Sequence, residues 1–199
     1  MLGAIGATVA LVSATASDLP LQLSVFVYGL SMVMVFGVSA VYHLGRWRRR
    51  RGLVRALDHA TIFVMIAGTY TPICVNVLSG WSRSVTLVLI WSLAVAGVIS
   101  SVVTVAWPRW ATVGLYLAMG WAAILPAPSL VRSLPPPALM VFAGGGLLYT
   151  LGAVVYARRR PDPFPRVFGF HEVFHLLVIG GTTAFLVGIW SWVLPFPRI

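Results

Sequence analysis

The sequence has no lysine, a single cysteine and very few acidic residues. Charged residues make up 9% of its 199 positions, whereas a soluble domain carries about 25%. This shortage excludes an ordinary soluble fold, because no stretch is polar enough to form the surface of a separate soluble domain. Cys74 stands alone, so an internal disulfide and a cluster of thiolate metal ligands are also excluded.

Apolar residues fill most of the chain instead. They are 59% of all residues, and the mean hydropathy is +0.94. Such long apolar runs predict an all-α, multi-pass membrane protein, since a helix satisfies its own backbone polar groups within the bilayer. We expect one domain over residues 1–199 with seven spans, at about 1–16, 21–44, 56–78, 84–106, 110–130, 138–157 and 171–194. The first is short, because it reaches about 24 Å across a hydrocarbon core of about 30 Å.

The basic residues are fourteen arginines, which give the chain a net charge of +10. They cluster in short gaps between apolar runs, and this loop pattern of membrane proteins argues against nucleic-acid binding. With a cytoplasmic amino terminus, eleven arginines face the cytoplasm and three face the other side. The positive-inside rule therefore predicts that orientation, and the arginine clusters are expected to hold anionic lipid headgroups.

Two features inside the spans predict local geometry. Pro72 lies within the third span, where it is expected to kink the helix and free a carbonyl group. Three consecutive glycines, at 144–146, lie within the sixth span and would permit a neighbouring helix to approach closely.

The last span opens with two histidines. His171 and His175 are four residues apart, so on a helix they share one face and can hold one metal ion. Glu172 lies between them and completes the His-Glu-x-x-His pattern, in which the glutamate of zinc proteases is the general base. The alternative is that Glu172 caps the positive amino-terminal end of the helix.

The predicted topology brings further polar residues to the same cytoplasmic side. These are Ser39 and His43 at the end of the second span and Asp58 at the start of the third. Three imidazoles, from His43, His171 and His175, with a fourth position open describe a catalytic zinc site better than a structural one. Asp58 would hold the zinc-bound water or orient a ligand, and Ser39 would hydrogen-bond the water or a substrate carbonyl. His59 is expected to make a structural hydrogen bond.

At these residues the chain resembles the hemolysin III proteins and their relatives, the progestin and adipoQ receptors. Ser-Ala-Val-Tyr-His at 39–43 is similar to the second-helix motif of that family, and residues 58–72 are similar to its third-helix motif. Gly-Leu-Leu-Tyr at 146–149, the Arg-Arg-Arg-Pro turn at 158–161 and residues 168–175 resemble its sixth-to-seventh-helix segment. The resemblance extends from about residue 21 to residue 190.

The resemblance implies seven helices, a cytoplasmic amino terminus and one zinc ion held by His43, His171 and His175, with Asp58 and Ser39 close by. A bacterial plasma membrane is the expected location. The resemblance also implies kinship with alkaline ceramidases, and hence a zinc-dependent hydrolase of lipid amides or esters. Many members carry a further histidine later in the seventh helix, where this chain has Gly-Thr-Thr-Ala-Phe at 181–185. Three alternatives stay open: a sensor or receptor with structural zinc, a cytolytic protein, and an intramembrane protease that uses Glu172.

Overall fold

The computed structural model describes residues 1–43, 51–103, 107–164 and 167–197. Within those ranges the chain forms eight α-helices, and the last continues into a short π-helical turn. In chain order they are α1 Leu2–Ala14, α2 Leu19–His43, α3 Arg51–Asn76, α4 Gly80–Val102, α5 Arg109–Trp121, α6 Ala127–Ser133, α7 Pro136–Arg158 and α8 Phe170–Gly188, followed by the π-helical turn Ile189–Val193.

Five of these helices, α2, α3, α4, α7 and α8, are long and apolar enough to cross a membrane. Between 17% and 39% of the residues in their most apolar windows are buried within the protein. The remaining apolar surface needs an apolar solvent, which a bilayer supplies. The chain is therefore a multi-pass, helical integral membrane protein, as the sequence predicts. Since α1 has only 13 residues, a seventh complete crossing stays a prediction.

The fifth segment differs from the continuous helix expected over residues 110–130. Helix α5 ends at Trp121, a single 3₁₀ turn follows, and α6 starts at Ala127 with its axis bent by 51°. The break coincides with Pro126 and Pro128. Proline has no N–H to donate to the preceding turn, and its ring displaces the carbonyl four residues earlier. Taken as one broken span, this pair raises the number of candidate crossings to six.

The chain divides into two compact units. Unit 1 comprises Met1–Ala106 with Phe196–Ile199 and contains α1 to α4. Unit 2 is Trp107–Pro195 and contains α5 to α8.

Polar contacts cross between helices α2 and α3 in unit 1. The Asn76 side-chain amide donates hydrogen bonds to Ser24 Oγ on α2, at 3.0 Å, and to the Pro72 carbonyl, at 2.7 Å. Helix α3 thus continues through Pro72 to Asn76. Further along the same two helices, the Ser31 side chain of α2 occupies the space beside Gly68 of α3, where a Cβ would otherwise lie. Hydrogen bonding and close approach together hold these two helices.

Glycines facing aromatic rings join α7 and α8 in unit 2. The Tyr149 ring lies over Gly181, and the Phe142 ring lies over Gly188. In the other direction Phe185 of α8 lies 3.0 Å from the position that a Cβ on Gly145 would occupy. Each ring takes the place of a missing side chain, so the two helices interlock over most of their length.

Candidate metal centre

Hydrogen bonds fix the first turn of helix α8 and the residues just before it. Phe164 and Phe168 exchange backbone hydrogen bonds of 3.0 and 2.9 Å, so these two residues lie side by side shortly before α8 begins. Asp162 then accepts the Phe170 N–H at 3.1 Å, and Glu172 accepts the Gly169 N–H at 2.8 Å. The first free N–H groups of the helix are thus satisfied by carboxylates, which also suit its positive end.

This geometry bears on the two roles considered for Glu172, a general base and a cap of the helix end. Its side chain is exposed and is bonded to the backbone of the residue just before the helix. The capping role is therefore confirmed.

His171 and His175 meet on one face of the first two turns of α8, as their spacing predicts. Their Nε2 atoms are 3.1 Å apart, and the ring centroids are 4.5 Å apart with the planes nearly perpendicular. Two imidazoles on one tetrahedral zinc, each at 2.0–2.1 Å, would hold their nitrogens about 3.3 Å apart. The observed separation fits a shared metal ion, and it also fits an N–H···N hydrogen bond in one pair of tautomers.

Aromatic side chains surround this histidine pair. The rings of Tyr156, Phe170 and Phe174 have centroids 6.4, 6.3 and 6.0 Å from that of His171. Phe174 also lies 3.5 Å from the position that a Cβ on Gly152 would occupy, so it is wedged between the two helices. The pair consequently has apolar neighbours on several sides, an environment that strengthens electrostatic interactions with a bound cation.

Tyr156 is itself held by α5. The Arg109 guanidinium lies over its ring at 4.8 Å and donates a 3.4 Å hydrogen bond to its carbonyl. Sequence reasoning missed both residues, although a signal existed for one of them. Tyr156 follows Tyr149 by seven residues and Phe142 by fourteen, so the three share one face of α7.

The other predicted residues belong to unit 1. His43 is the last residue of α2, exposed, with the neighbouring Tyr42 ring edge-on at 5.2 Å. Ser39 is half-buried one turn earlier on the same helix. Asp58 and His59 are half-buried on α3, and the Asp58 carbonyl accepts a 2.9 Å hydrogen bond from Thr61. That these residues belong to a metal site stays a prediction. The close approach of His171 and His175 to one another is a feature of the structure itself.

The fold and this geometry define a class of protein. It is a helical membrane protein in which two histidines lie close enough to bind one metal ion. The family model described as "Haemolysin-III related" matches residues 1–186. The chain therefore belongs to the haemolysin III family, and the resemblance drawn from the motifs is confirmed.

Individual relatives agree with this membership. The chain is 31% identical to the "Hemolysin-3 homolog" of Bacillus subtilis (strain 168), covering 79% of this chain and 71% of the relative. It is 32% identical to "Hemolysin-3" of Bacillus cereus, covering 85% and 74%. Similarity extends to the human "Monocyte to macrophage differentiation factor", at 26% identity over 88% of this chain and 73% of that protein. The Bacillus relatives agree with a bacterial plasma membrane location.

Proposed function

We propose that the protein is a zinc-dependent hydrolase of lipid amides or esters, with the zinc held by His43, His171 and His175. The observation that carries the proposal is the 3.1 Å approach of the His171 and His175 Nε2 atoms. Two neutral imidazoles that converge in this way are a donor set well suited to zinc. Family membership, spanning residues 1–186, supports the same assignment.

The order of the spans supports His43 as the third ligand. Helix α2 ends at His43, and α8 begins at Phe170. Four candidate crossings separate these two points if the broken α5–α6 segment counts as one, and an even number of crossings would bring both to the same side of the membrane. The arginine distribution makes that side cytoplasmic.

The chemistry follows from the residues that would surround such a site. Zinc, when bound, lowers the pKa of a coordinated water to about 7 and polarises a carbonyl group. Asp58 would accept the proton of the attacking water and orient it. Ser39 would donate a hydrogen bond to the substrate carbonyl, since it shares a face of α2 with His43. The lipid would enter sideways from the bilayer.

Metal content tests the site directly. Purified wild-type protein is compared with His171→Ala, Asp58→Ala and, as a matched control, His59→Ala, by elemental analysis after zinc is supplied. We expect one zinc per chain in the wild type, in Asp58→Ala and in His59→Ala, and none in His171→Ala. Loss of zinc from Asp58→Ala as well would favour a closed, structural site and hence a sensor. No zinc in the wild type would reject the proposal.

Turnover needs its own assay. Ceramides and lipid esters presented in mixed micelles should be cleaved by the wild type and by His59→Ala, and not by Asp58→Ala despite its bound zinc. Full activity in Asp58→Ala would reject the assigned role of this carboxylate. Erythrocyte lysis by the wild type and His171→Ala alike would instead favour membrane disruption, the activity that the relatives' name suggests.

Anionic lipids are the partners that we propose for the arginine clusters. The three arginines at 158–160, the first of which is the last residue of α7, are exposed. Guanidinium groups at a membrane surface attract anionic headgroups by about 1 kcal/mol each. Retention of phosphatidylglycerol over phosphatidylcholine, lost when the three are changed to glutamine, would support this assignment, and equal retention would reject it.

A further inference from the structure

We propose that Asp162 and Glu172 are positioning residues for the histidine pair. Each carboxylate holds one backbone N–H at the start of α8, and together they fix the turn that carries His171. The inference rests on the proposed metal centre, and it assigns these residues a mechanical role by hydrogen bonding, with no part in proton transfer.

The two hydrogen bonds act on consecutive residues from opposite sides. Glu172, inside the helix, reaches back to the Gly169 N–H at 2.8 Å. Asp162, outside the helix, reaches forward to the Phe170 N–H at 3.1 Å. His171 follows directly, so the two residues that lead into it are each held by a carboxylate. A helix end normally frays because its first N–H groups have no partners, and here two of them do.

Gly169 shows that the fit is close. Its φ of −102° is open to any residue, so glycine is not needed for conformation. A Cβ at this position would instead overlap the Asp162 carboxylate. The space above Gly169 is thus occupied by the group that caps the helix.

Metal affinity should depend on this arrangement. His171 and His175 can share one ion only while both rings keep their rotamers on adjacent turns, and the first of those turns is at the helix end. Groups that orient metal ligands typically change metal affinity by tenfold to a hundredfold when removed. We expect about a tenfold loss for each carboxylate, the lower end of that range, because removing one of them leaves the other in place.

The experiment uses cobalt(II), whose visible absorption reports ligand geometry, bound to the full-length protein in detergent. Asp162→Ala and Glu172→Ala should each weaken cobalt binding about tenfold and broaden its absorption bands. Asp162→Asn and Glu172→Gln keep an oxygen acceptor and should restore both. Asp18→Ala is the matched control, because Asp18 accepts the Leu21 N–H at the start of α2, at 3.3 Å. It should leave the cobalt spectrum unchanged.

Hydrogen exchange of the peptide spanning residues 168–175 gives a readout that needs no metal. Exchange should be faster in the two alanine variants and unchanged in the asparagine and glutamine variants. Normal cobalt binding in the alanine variants would overturn the proposal, and so would loss of binding in Glu172→Gln, which would indicate a need for the charge. A wild type that binds no cobalt would reject the metal centre itself, while hydrogen exchange would still decide whether the carboxylates hold the turn.

Discussion

Helices α2 and α3 are joined differently from helices α7 and α8. In the first pair an amide and a hydroxyl bond across the helices, at Asn76 and Ser24. In the second pair aromatic rings lie over glycines, as Tyr149 does over Gly181. Lipid tails are as apolar as leucine, so burial of apolar surface does not drive helices together in a membrane. Each pair also has one contact of the other kind, Ser31 at Gly68 in the first and the Tyr149 hydroxyl with Thr182 in the second, so the two pairs differ in the balance of the two means.

The difference has a functional side. The predicted residues His43 and Asp58 lie on α2 and α3, whereas His171 and His175 lie on α8, which packs against α7 through glycines and rings. Close approach without many polar groups keeps the surroundings of the histidine pair apolar, and Phe174 in particular serves both the helix contact and the histidine pair. Packing and ligand placement therefore share side chains in unit 2.

The largest effect should come from the metal. Zinc at about a thousand times its dissociation constant should stabilise the protein by about 4 kcal/mol. Hydrogen exchange should slow in α8 of the wild type and stay unchanged in His175→Ala. Equal protection of the variant would show that zinc acts elsewhere.

The next effect should come from the glycine contacts of unit 2. In Gly181→Ala the new Cβ would lie 2.8 Å from the Tyr149 ring, which is also held by a 2.9 Å hydrogen bond to Thr182. Overpacking of this kind costs about 1–3 kcal/mol. Gly144→Ala is the control, since nothing lies within 4 Å of its added Cβ. Steric trapping in detergent would measure the free energy of unfolding of both variants. Equal values would contradict the close packing of α7 against α8.

A smaller loss is expected where a glycine faces a side chain that can rotate. In Gly68→Ala the new Cβ would overlap Ser31, whose hydroxyl bonds the Tyr28 carbonyl at 2.7 Å. A rotamer change moves the Ser31 hydroxyl away and breaks that bond, at about 1 kcal/mol. The Ser31 Cβ stays 2.8 Å from the new Cβ and requires a small helix shift as well, so the total cost should be about 1–2 kcal/mol. Gly52→Ala on the same helix has open space around it and serves as control. A stability loss as large as that of Gly181→Ala would remove the distinction between the two helix pairs.

The smallest effects should come from single polar groups. Asn76→Val removes two hydrogen bonds from α3 and should cost about 1 kcal/mol, whereas Tyr149→Phe removes one and should cost about 0.6 kcal/mol. The same steric-trapping assay would rank them. The reverse order would show that α7 and α8 depend more on polar bonding than α2 and α3 do.

Local patterns were sufficient to predict part of this structure. The helical period alone places His171 beside His175, because residues four apart share a face whatever the tertiary fold. Long apolar runs likewise predict α2, α3, α4, α7 and α8. The break before Ala127 was missed, because hydropathy stays high through Pro126 and Pro128 while their missing N–H groups interrupt the helix.

Tertiary detail was harder to predict. The close approach expected of the glycines at 144–146 is confirmed at Gly145 alone, since only one of three consecutive helix positions can face α8. The placement of Arg109 over Tyr156 joins residues 47 positions apart, and no local pattern encodes it. The Asp162 hydrogen bond to the Phe170 N–H likewise joins residues eight positions apart, a spacing that no helical repeat encodes.

The reciprocal spacing of glycines in unit 2 has a mechanical consequence. Gly145 and Gly152 are seven apart on α7, as are Gly181 and Gly188 on α8, and each faces a bulky side chain of the other helix. Sliding one helix along the other by a single turn would drive those rings against side chains instead of gaps. The contacts therefore oppose axial sliding of α8 along α7, and they fix the height of the histidine pair relative to α7.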